Sequence, residues 1–419
     1  LASKATGYPI AKVATLLAVG FTLDEIQNDI TGTTASFEPV IDYIVTKVPR
    51  FTFEKFPKAD STLTTAMKSV GEVMSIGRTF NESIQKALCS LETGLVGFDR
   101  IAGDLDFIKK EIRRPNDKRL LYLMEGMRQG LTNEDIFELS KIDPWFLTKF
   151  REIHDLEASI SESILTDETF MRKIKANGFS DKMIANLIGK TEEDIYQARK
   201  VLDVDFEYNE VDTCAAEFEA VSAYYYSTYD TFDEVAVSDK KKIMVIGSGP
   251  IRIGQGIEFD YCTVHSIYAL QELGYETIIV NNNPETVSTD FSVADKLYFE
   301  PLTEEDVMNI IEKEQPEGIV LQFGGQTSIK LAKFAEAKNI RVIGTQPKWI
   351  DAAEDREKFD EITDKLGVKK PKGKAIWNTE DGVMEAAKLE YPVLVRPSYV
   401  LGGQGMEITY DEMQLRKYL

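Results

Sequence analysis

The stretch that decides the fold is residues 242–286, KIMVIGSGPIRIGQGIEFDYCTVHSIYALQELGYETIIVNNNPET. An apolar run predicts a buried strand, a Gly-rich turn leads into a helix, and ETIIV at 276–280 predicts a second strand. The alternation continues through KLYFE, EDVMNIIEKE, GIVLQFGGQT and IRVIGT. Strands that alternate with helices in this way predict a doubly wound parallel sheet.

Polar residues follow consecutive strands of this predicted sheet. Glu258 and Asp260 come after the first strand, Glu285 and Thr286 after the second, and the run QFGGQT at 322–327 after a later one. Right-handed crossovers bring these positions to the carboxyl edge of the sheet, where open α/β sheets bind ligands. The alternative is a set of solvated surface carboxylates, and for Glu258 taken alone that alternative is favoured.

The Gly-rich turn does not fit a dinucleotide site. Gly247, Gly249 and Gly254 are spaced GxGxxxxG rather than GxGxxG. A dinucleotide site also needs an acidic residue at the end of the next strand to hold ribose, whereas this strand ends in Asn at 281–283. NAD or FAD binding is therefore disfavoured, and a purely structural turn remains the alternative.

A second cluster suggests nucleotide phosphates. Arg396 follows the predicted strand YPVLV, the Gly-rich run GGQG at 402–405 comes next, and Arg356 lies upstream in a predicted helix at 351–367. A guanidinium grips phosphate oxygens in a bidentate way, and a Gly-rich loop can present backbone N–H groups to a phosphate chain. The loop does not match GxxxxGK[ST], so it is not a P-loop. A surface hairpin is the alternative.

Residues 91–200 predict a small all-α unit. Thr132, Ser180 and Thr191 each precede acidic residues as helix N-caps, and Asp143-Pro144 begins a longer helix. That helix is predicted to bury one face through Phe146, Phe150, Ile153 and Leu156. A helix-turn-helix DNA reader is disfavoured because the helices are acidic and lack a recognition cluster.

Residues 206–239 are aromatic and poorly periodic, and they predict an extended connector that buries its tyrosines. A segment KAIW at 374–377 predicts a further strand.

Composition limits the function classes. The 419 residues predict two to four domains, and 49 Lys+Arg against 70 Asp+Glu give a net charge of −21. That charge disfavours binding to nucleic acid or a membrane surface. The sparse Cys and His residues have no metal-ligand spacing and fit a reducing cytoplasm. Both ends read as cut, which predicts a window on a longer chain.

The long segments GSGPIRIGQGIEFDYCTVHS, NNNPETVSTD, LQFGGQT, AEDREKF and RPSYVLGGQGME resemble the large subunit of glutamine-hydrolysing carbamoyl-phosphate synthetase. The resemblance implies a multidomain chain in which an all-α oligomerisation domain is followed by an α/β pre-ATP-grasp domain and the start of an ATP-grasp domain. It implies that 1–90 is the tail of a first (carboxyphosphate) ATP-grasp unit and 91–236 the oligomerisation domain with its connector. It makes 237–347 the pre-ATP-grasp domain of the second (carbamoyl phosphate) unit, and 348–419 the start of its ATP-grasp domain.

The resemblance also implies roles. It makes Arg396, Arg356, Gly402 and Gly403 ATP-binding residues. The positions that match an internal carbamate passage are Gly256, Glu258 and Glu285. The implied cofactors are ATP and Mg²⁺ or Mn²⁺, with metal ligands outside this chain, and the implied partners are a glutaminase subunit and further copies bound through the helical domain.

The parent is then a cytoplasmic ATP-dependent carbon–nitrogen ligase that makes carbamoyl phosphate from bicarbonate, glutamine-derived ammonia and two ATP for arginine or pyrimidine synthesis. This chain alone is expected to be inactive, with no complete catalytic set and no metal site. One alternative is a non-catalytic self-association scaffold. A biotin-dependent carboxylase is another, and the helical insert argues against it.

Overall fold

The computed structural model describes residues 1–419 except 31, 57, 213, 216–221, 230–231 and 398–404. The N-terminal segment contains two short helices, an antiparallel strand pair and a further helix. Its elements are α1 (Ala2–Thr6), α2 (Ile10–Ala18), β1 (Ile44–Arg50), β2 (Gly71–Gly77) and α3 (Phe80–Ser90). Thr79 caps α3, as its side chain accepts a hydrogen bond from the backbone N–H of Glu82.

The predicted all-α unit follows and shares one apolar core with α3. Its helices are α4 (Leu105–Arg113), α5 (Arg119–Arg128), α6 (Asn133–Ser140), α7 (Pro144–Ser159), α8 (Glu168–Lys175), α9 (Asp181–Ile188) and α10 (Glu192–Val201). The predicted caps are confirmed. Thr132 and Thr191 form capping boxes, Ser180 caps α9, and Asp143 caps α7 ahead of Pro144.

The buried face of α7 differs from the prediction. Leu147, Phe150 and Ile153 are buried, whereas Phe146 is 42% exposed. The prediction was wrong for Phe146, because the residues that face the core at i, i+3 spacing begin with Leu147. Phe146 instead makes an edge contact with the ring of Phe80, at 5.7 Å between centroids.

The main sheet confirms the predicted alternation. Within the described residues it has seven strands in the order β3-β4-β7-β6-β5-β8-β9, all parallel except β3. The elements are β3 (Glu207–Glu210), β4 (Tyr224–Thr228), β5 (Lys242–Ile246), α11 (Glu258–Glu272), β6 (Glu276–Asn281), β7 (Lys296–Phe299), α12 (Glu304–Glu314), β8 (Gly318–Val320), α13 (Gly325–Ile329), α14 (Ala332–Ala337) and β9 (Val342–Ile343).

Alternate residues of the central strand face opposite cores, as the period of a strand requires. Met244 and Ile246 pack with α12 and α14, whereas Ile243 and Val245 pack with α11 and the β1–β2 pair. The sheet is therefore covered on both faces, and the first 90 residues contribute to one of those covers together with α11.

The connector at 206–239 is more ordered than the sequence predicts, because β3 and β4 extend the sheet at one edge. The predicted burial of its aromatic residues is confirmed for Tyr224, Tyr225 and Tyr226, none of which is more than 8% exposed. Propensity alone could not reveal these strands, since β4 takes its hydrogen bonds from β7 and β3 takes its own from β4.

The last unit contains short elements. They are α15 (Pro347–Glu354), α16 (Arg356–Lys365), α17 (Thr379–Leu389), β10 (Val393–Val395), β11 (Glu407–Thr409) and α18 (Glu412–Tyr418). The helix predicted at 351–367 is interrupted at Asp355, whose side chain caps α16. The strand predicted at 374–377 was wrong, as this stretch is irregular. In the described part of the chain, no helix is long and apolar enough to span a bilayer.

Candidate active site at the carboxyl edge of the sheet

The Gly-rich turn after β5 closes directly onto the end of β6. The backbone N–H of Gly247 donates to the carbonyl of Val280 at 2.9 Å, and that of Gly249 donates to Oδ1 of Asn281 at 3.0 Å. Gly249 has φ of +66°, which L side chains rarely adopt. The fully buried Asn281 therefore organises the turn.

The loops after β5 and β6 are tied together by a carboxylate. Asp260, in the first turn of α11, accepts hydrogen bonds from the backbone N–H groups of Val287 at 3.1 Å and Ser288 at 3.2 Å. Glu285, in the loop after β6, is exposed and so is Glu258. Asp260 thus fixes the path of the loop that carries Glu285.

Gly256 and Glu258 adjoin each other at the start of α11. A Cβ added at Gly256 would collide with the carboxylate of Glu258, so the glycine leaves room for that side chain. Both residues are exposed. The structure therefore brings Gly256 and Glu258 together, and Asp260 links their helix to the loop of Glu285.

The third loop, after β8, packs against the first. A Cβ at Gly324 would collide with the carbonyl oxygen of Gly247, so the two turns touch through their backbones. Gly325 has φ of +57° and faces the ring of Phe259. The predicted convergence of strand ends at one sheet edge is confirmed for these loops.

Arg252 is a site residue that the sequence analysis missed. It lies within the Gly-rich turn, and its Nη2 donates to Oγ1 of Thr327 at 2.7 Å. Burial lowers the pKa of its guanidinium, and the nearby carboxylate of Glu92 opposes that shift. The sequence did contain a signal for Arg252. It is a long, charged side chain within a Gly-rich turn at the end of a strand, and from there it can reach across the sheet edge.

The residues assigned to ATP lie in the last unit. Arg356 is the first residue of α16, and Arg396 directly follows β10. Both side chains are exposed, and among the described residues neither guanidinium has a hydrogen bond, ion pair or ring contact. Gly402 and Gly403 lie outside the described residues. The ATP-binding role of these four residues remains a prediction.

Two free guanidinium groups suit a polyphosphate, because an arginine without a protein partner keeps its donors for phosphate oxygens. Among the described residues, no group of three or more His, Cys, Asp or Glu side chains is arranged to hold a metal ion.

Comparison with known proteins identifies the family of the chain. Three family models match: the carbamoyl-phosphate synthetase large chain oligomerisation domain over residues 72–203, the carbamoyl phosphate synthase preATP-grasp domain over 239–352, and the carbamoyl-phosphate synthase L chain ATP binding domain over 355–419. These ranges together span most of the chain.

Curated relatives named carbamoyl phosphate synthase large chain align along the whole chain. Those of Campylobacter jejuni, Clostridium botulinum strain Loch Maree and Xanthomonas axonopodis pv. citri are 56%, 55% and 54% identical, respectively. Each match covers 100% of this chain and 40% of the relative, so the chain spans less than half the length of these relatives. With three successive domain models and identities above one half, the chain belongs to the carbamoyl phosphate synthase large-chain family.

Proposed function

We propose that this chain is the central part of an ATP-dependent carbon–nitrogen ligase that makes carbamoyl phosphate. In the whole protein, bicarbonate is phosphorylated to carboxyphosphate at a first site, and ammonia displaces phosphate to give carbamate. A second site then transfers the γ-phosphoryl group of another ATP to carbamate, which yields carbamoyl phosphate and ADP. The residues of this chain contribute to the second site and to the route that leads to it.

One observation carries the assignment of the second site. Arg396 is exposed at the end of β10, without a partner among the described residues, in the unit that matches the ATP binding domain model. A guanidinium in that state can grip phosphate oxygens at the end of a strand. Arg356, equally free at the start of α16, would supply a second cation, and Gly402 with Gly403 would add backbone N–H groups.

In the same scheme, the carboxyl edge of the sheet would form part of a passage for carbamate. Gly256, Glu258 and Glu285 would line the route by which carbamate reaches the second site. Carbamate decomposes in water, so a route that excludes solvent protects it between the two reactions. The loops after β5, β6 and β8 contact one another at this edge, and because the three residues are exposed in this chain, the rest of the large chain would cover them to exclude solvent.

Phosphoryl transfer by the whole protein would require a divalent metal ion. Bound Mg²⁺ or Mn²⁺ would neutralise phosphate charge during phosphoryl transfer. At the second site, this chain would contribute the guanidinium groups and the Gly-rich loop that hold the triphosphate. We therefore propose that it is inactive alone and that the catalytic metal ligands belong to the rest of the large chain.

The proposed division of the chain has four parts, in this order. They are the tail of the first ATP-grasp unit (1–90), the helical oligomerisation domain with its connector (91–236), the pre-ATP-grasp domain (237–347) and the start of the second ATP-grasp domain (348–419). A glutaminase subunit would supply ammonia, and the protein would act in the cytoplasm. Self-association is supported by the match of residues 72–203 to the oligomerisation domain model.

The test is Arg396→Ala in the full-length large chain with its glutaminase subunit. ATP formation from ADP and carbamoyl phosphate, which reports on the second site, should fall about 10- to 100-fold, since a charge-assisted hydrogen bond contributes about 1.5–3 kcal/mol. Bicarbonate-dependent ATP hydrolysis, which reports on the first site, should stay near the wild-type rate.

Arg416→Ala is the matched control. Arg416 is an arginine of the same unit that is already paired with Glu380 and Glu412, so both activities should survive its removal. Equal loss of the two activities in Arg396→Ala would contradict the assignment of Arg396 to the second site.

A further inference from the structure

Lys4 joins the first residues of the chain to the loop that carries Glu285. Its Nζ donates to the carbonyl oxygen of Thr286 at 2.7 Å and to Oγ1 of Thr289 at 2.9 Å. The same Nζ lies 2.9 Å from Oδ1 of Asp290, and the lysine side chain is only 12% exposed. The ammonium group of Lys4 therefore contacts three oxygens of a single loop, which lies 282 or more positions away in the sequence.

The helix that carries Lys4 is itself anchored. Oη of the buried Tyr43 donates to the carbonyl oxygen of Ala5 at 2.8 Å and lies 2.9 Å from that of Asp212. The ring of Tyr43 packs against that of Tyr226, with 5.6 Å between centroids. Because α1 is fixed against the connector and the sheet, Lys4 can hold the loop in place rather than follow its movements.

The opposite loop, the Gly-rich turn after β5, is held in a similar way by the same segment. Nζ of Lys55 donates to the carbonyl oxygen of Ile253. A Cβ at Gly71 would collide with the carbonyl oxygen of Ile251, so the first residue of β2 touches this turn through its backbone. Residues 1–90 therefore contact both of the loops that bear the proposed passage residues.

We propose that Lys4 and Lys55 are positioning residues that hold these two loops at a fixed separation and so keep the carbamate passage closed to water. This inference rests on the proposed function. Neither lysine contacts the reacting atoms. Their effect is on the fraction of carbamate that survives the transfer, because a loosened loop admits water to a compound that water destroys.

The experiment uses the full-length large chain with its glutaminase subunit and compares wild type with Lys4→Met and Lys55→Met. Three quantities are measured: bicarbonate-dependent ATP hydrolysis, ATP formation from ADP and carbamoyl phosphate, and ATP consumed per carbamoyl phosphate made from glutamine. Both partial reactions should persist in the variants. ATP consumed per product should rise about two-fold or more, because carbamate is lost between the sites.

Two further variants sharpen the test. Asp290→Asn, which removes the ion partner from the loop side, should raise the same ratio. Lys12→Met is the matched control, since Lys12 lies on the next helix and pairs only with the half-exposed Asp29 in the described structure. Its ratio should equal that of wild type.

The outcomes separate the two levels of the argument. A wild-type ratio in Lys4→Met and Lys55→Met overturns the positioning role and leaves the proposed function intact. Parallel loss of both partial reactions also overturns it, since that result indicates general damage to the fold. Wild-type protein that forms no carbamoyl phosphate refutes the proposed function itself.

Discussion

A buried ionic network connects the helical unit to the main sheet unit, and its central carboxylate is the most informative residue to change. Asp181, 1% exposed, accepts three hydrogen bonds from Arg199 at 2.8–3.0 Å and lies 2.9 Å from Nζ of Lys175. Lys175 also pairs at 2.6 Å with Glu305 of α12. Burial alone would raise the pKa of Asp181, but Lys175 and then Arg199 outweigh it and hold that pKa below its ordinary value.

The change Asp181→Asn keeps the shape and removes the charge. The single amide oxygen cannot accept all the donors that now converge on the carboxylate, and the new NH₂ group points donors toward cations. Among the described residues, Glu305 is then the one carboxylate left in contact with the two buried cations, through its pair with Lys175. Removing one partner from a buried ion pair costs about 3–5 kcal/mol, and we expect Asp181→Asn to destabilise the helical unit by that amount.

The assay is urea unfolding of this chain carrying Trp349→Phe and Trp377→Phe, so that the fluorescence reports on Trp145, which lies in the helical unit and makes an edge contact with the ring of Phe80. The matched control is Glu138→Gln, which breaks the exposed pair of Glu138 with Lys141 at 2.7 Å. That pair should contribute below about 0.5 kcal/mol. If Asp181→Asn shifts the midpoint no more than Glu138→Gln, the reasoning about the buried network is refuted.

Two further predictions concern the packing of the N-terminal segment. Burial raises the pKa of Glu82 from 4.5 to about 7. The stability that this group contributes is therefore present below pH 4.5 and is lost as the pH rises through 7. We expect Glu82→Gln to flatten the fall in the urea midpoint between about pH 5 and 8.5. Gly71→Ala should lower the thermal midpoint by several degrees because its Cβ meets the carbonyl of Ile251, whereas Gly373→Ala, in open space, should not.

Local chemistry made much of the fold predictable. The alternation after Lys242 predicted a parallel sheet covered on both faces, and hydroxyl or carboxylate residues before acidic turns predicted the helix starts at Thr132 and Thr191. Each of these signals lies within a few residues of the feature it predicts, because a cap or a strand period is a property of neighbouring positions.

The rest depended on contacts between distant segments. Strand β4 forms because β7 offers it backbone partners, and the edge strand β3 then pairs with β4; no pattern within 206–239 reveals either pairing. Lys4 and Lys55 have no local signal either, since their partners at Thr286 and Ile253 are 282 and 198 positions away. For the site, the sequence predicted which loops meet at the sheet edge, but not the lysines that hold them.

Buried ion pairs also connect the helical unit and α3 to the main sheet unit. Lys86 of α3 lies 3.4 Å from the fully buried Glu300 after β7, and Lys175 pairs with Glu305 one turn further on. Such pairs add little net stability, because desolvation offsets most of their attraction. They are nevertheless specific, since a shift of one unit by a few ångströms would leave buried charges without partners, whereas an apolar interface would tolerate sliding. The pairs therefore favour a single relative orientation of the helical and sheet units, whereas Lys4 is held separately, through the contacts of α1 with the connector and the sheet.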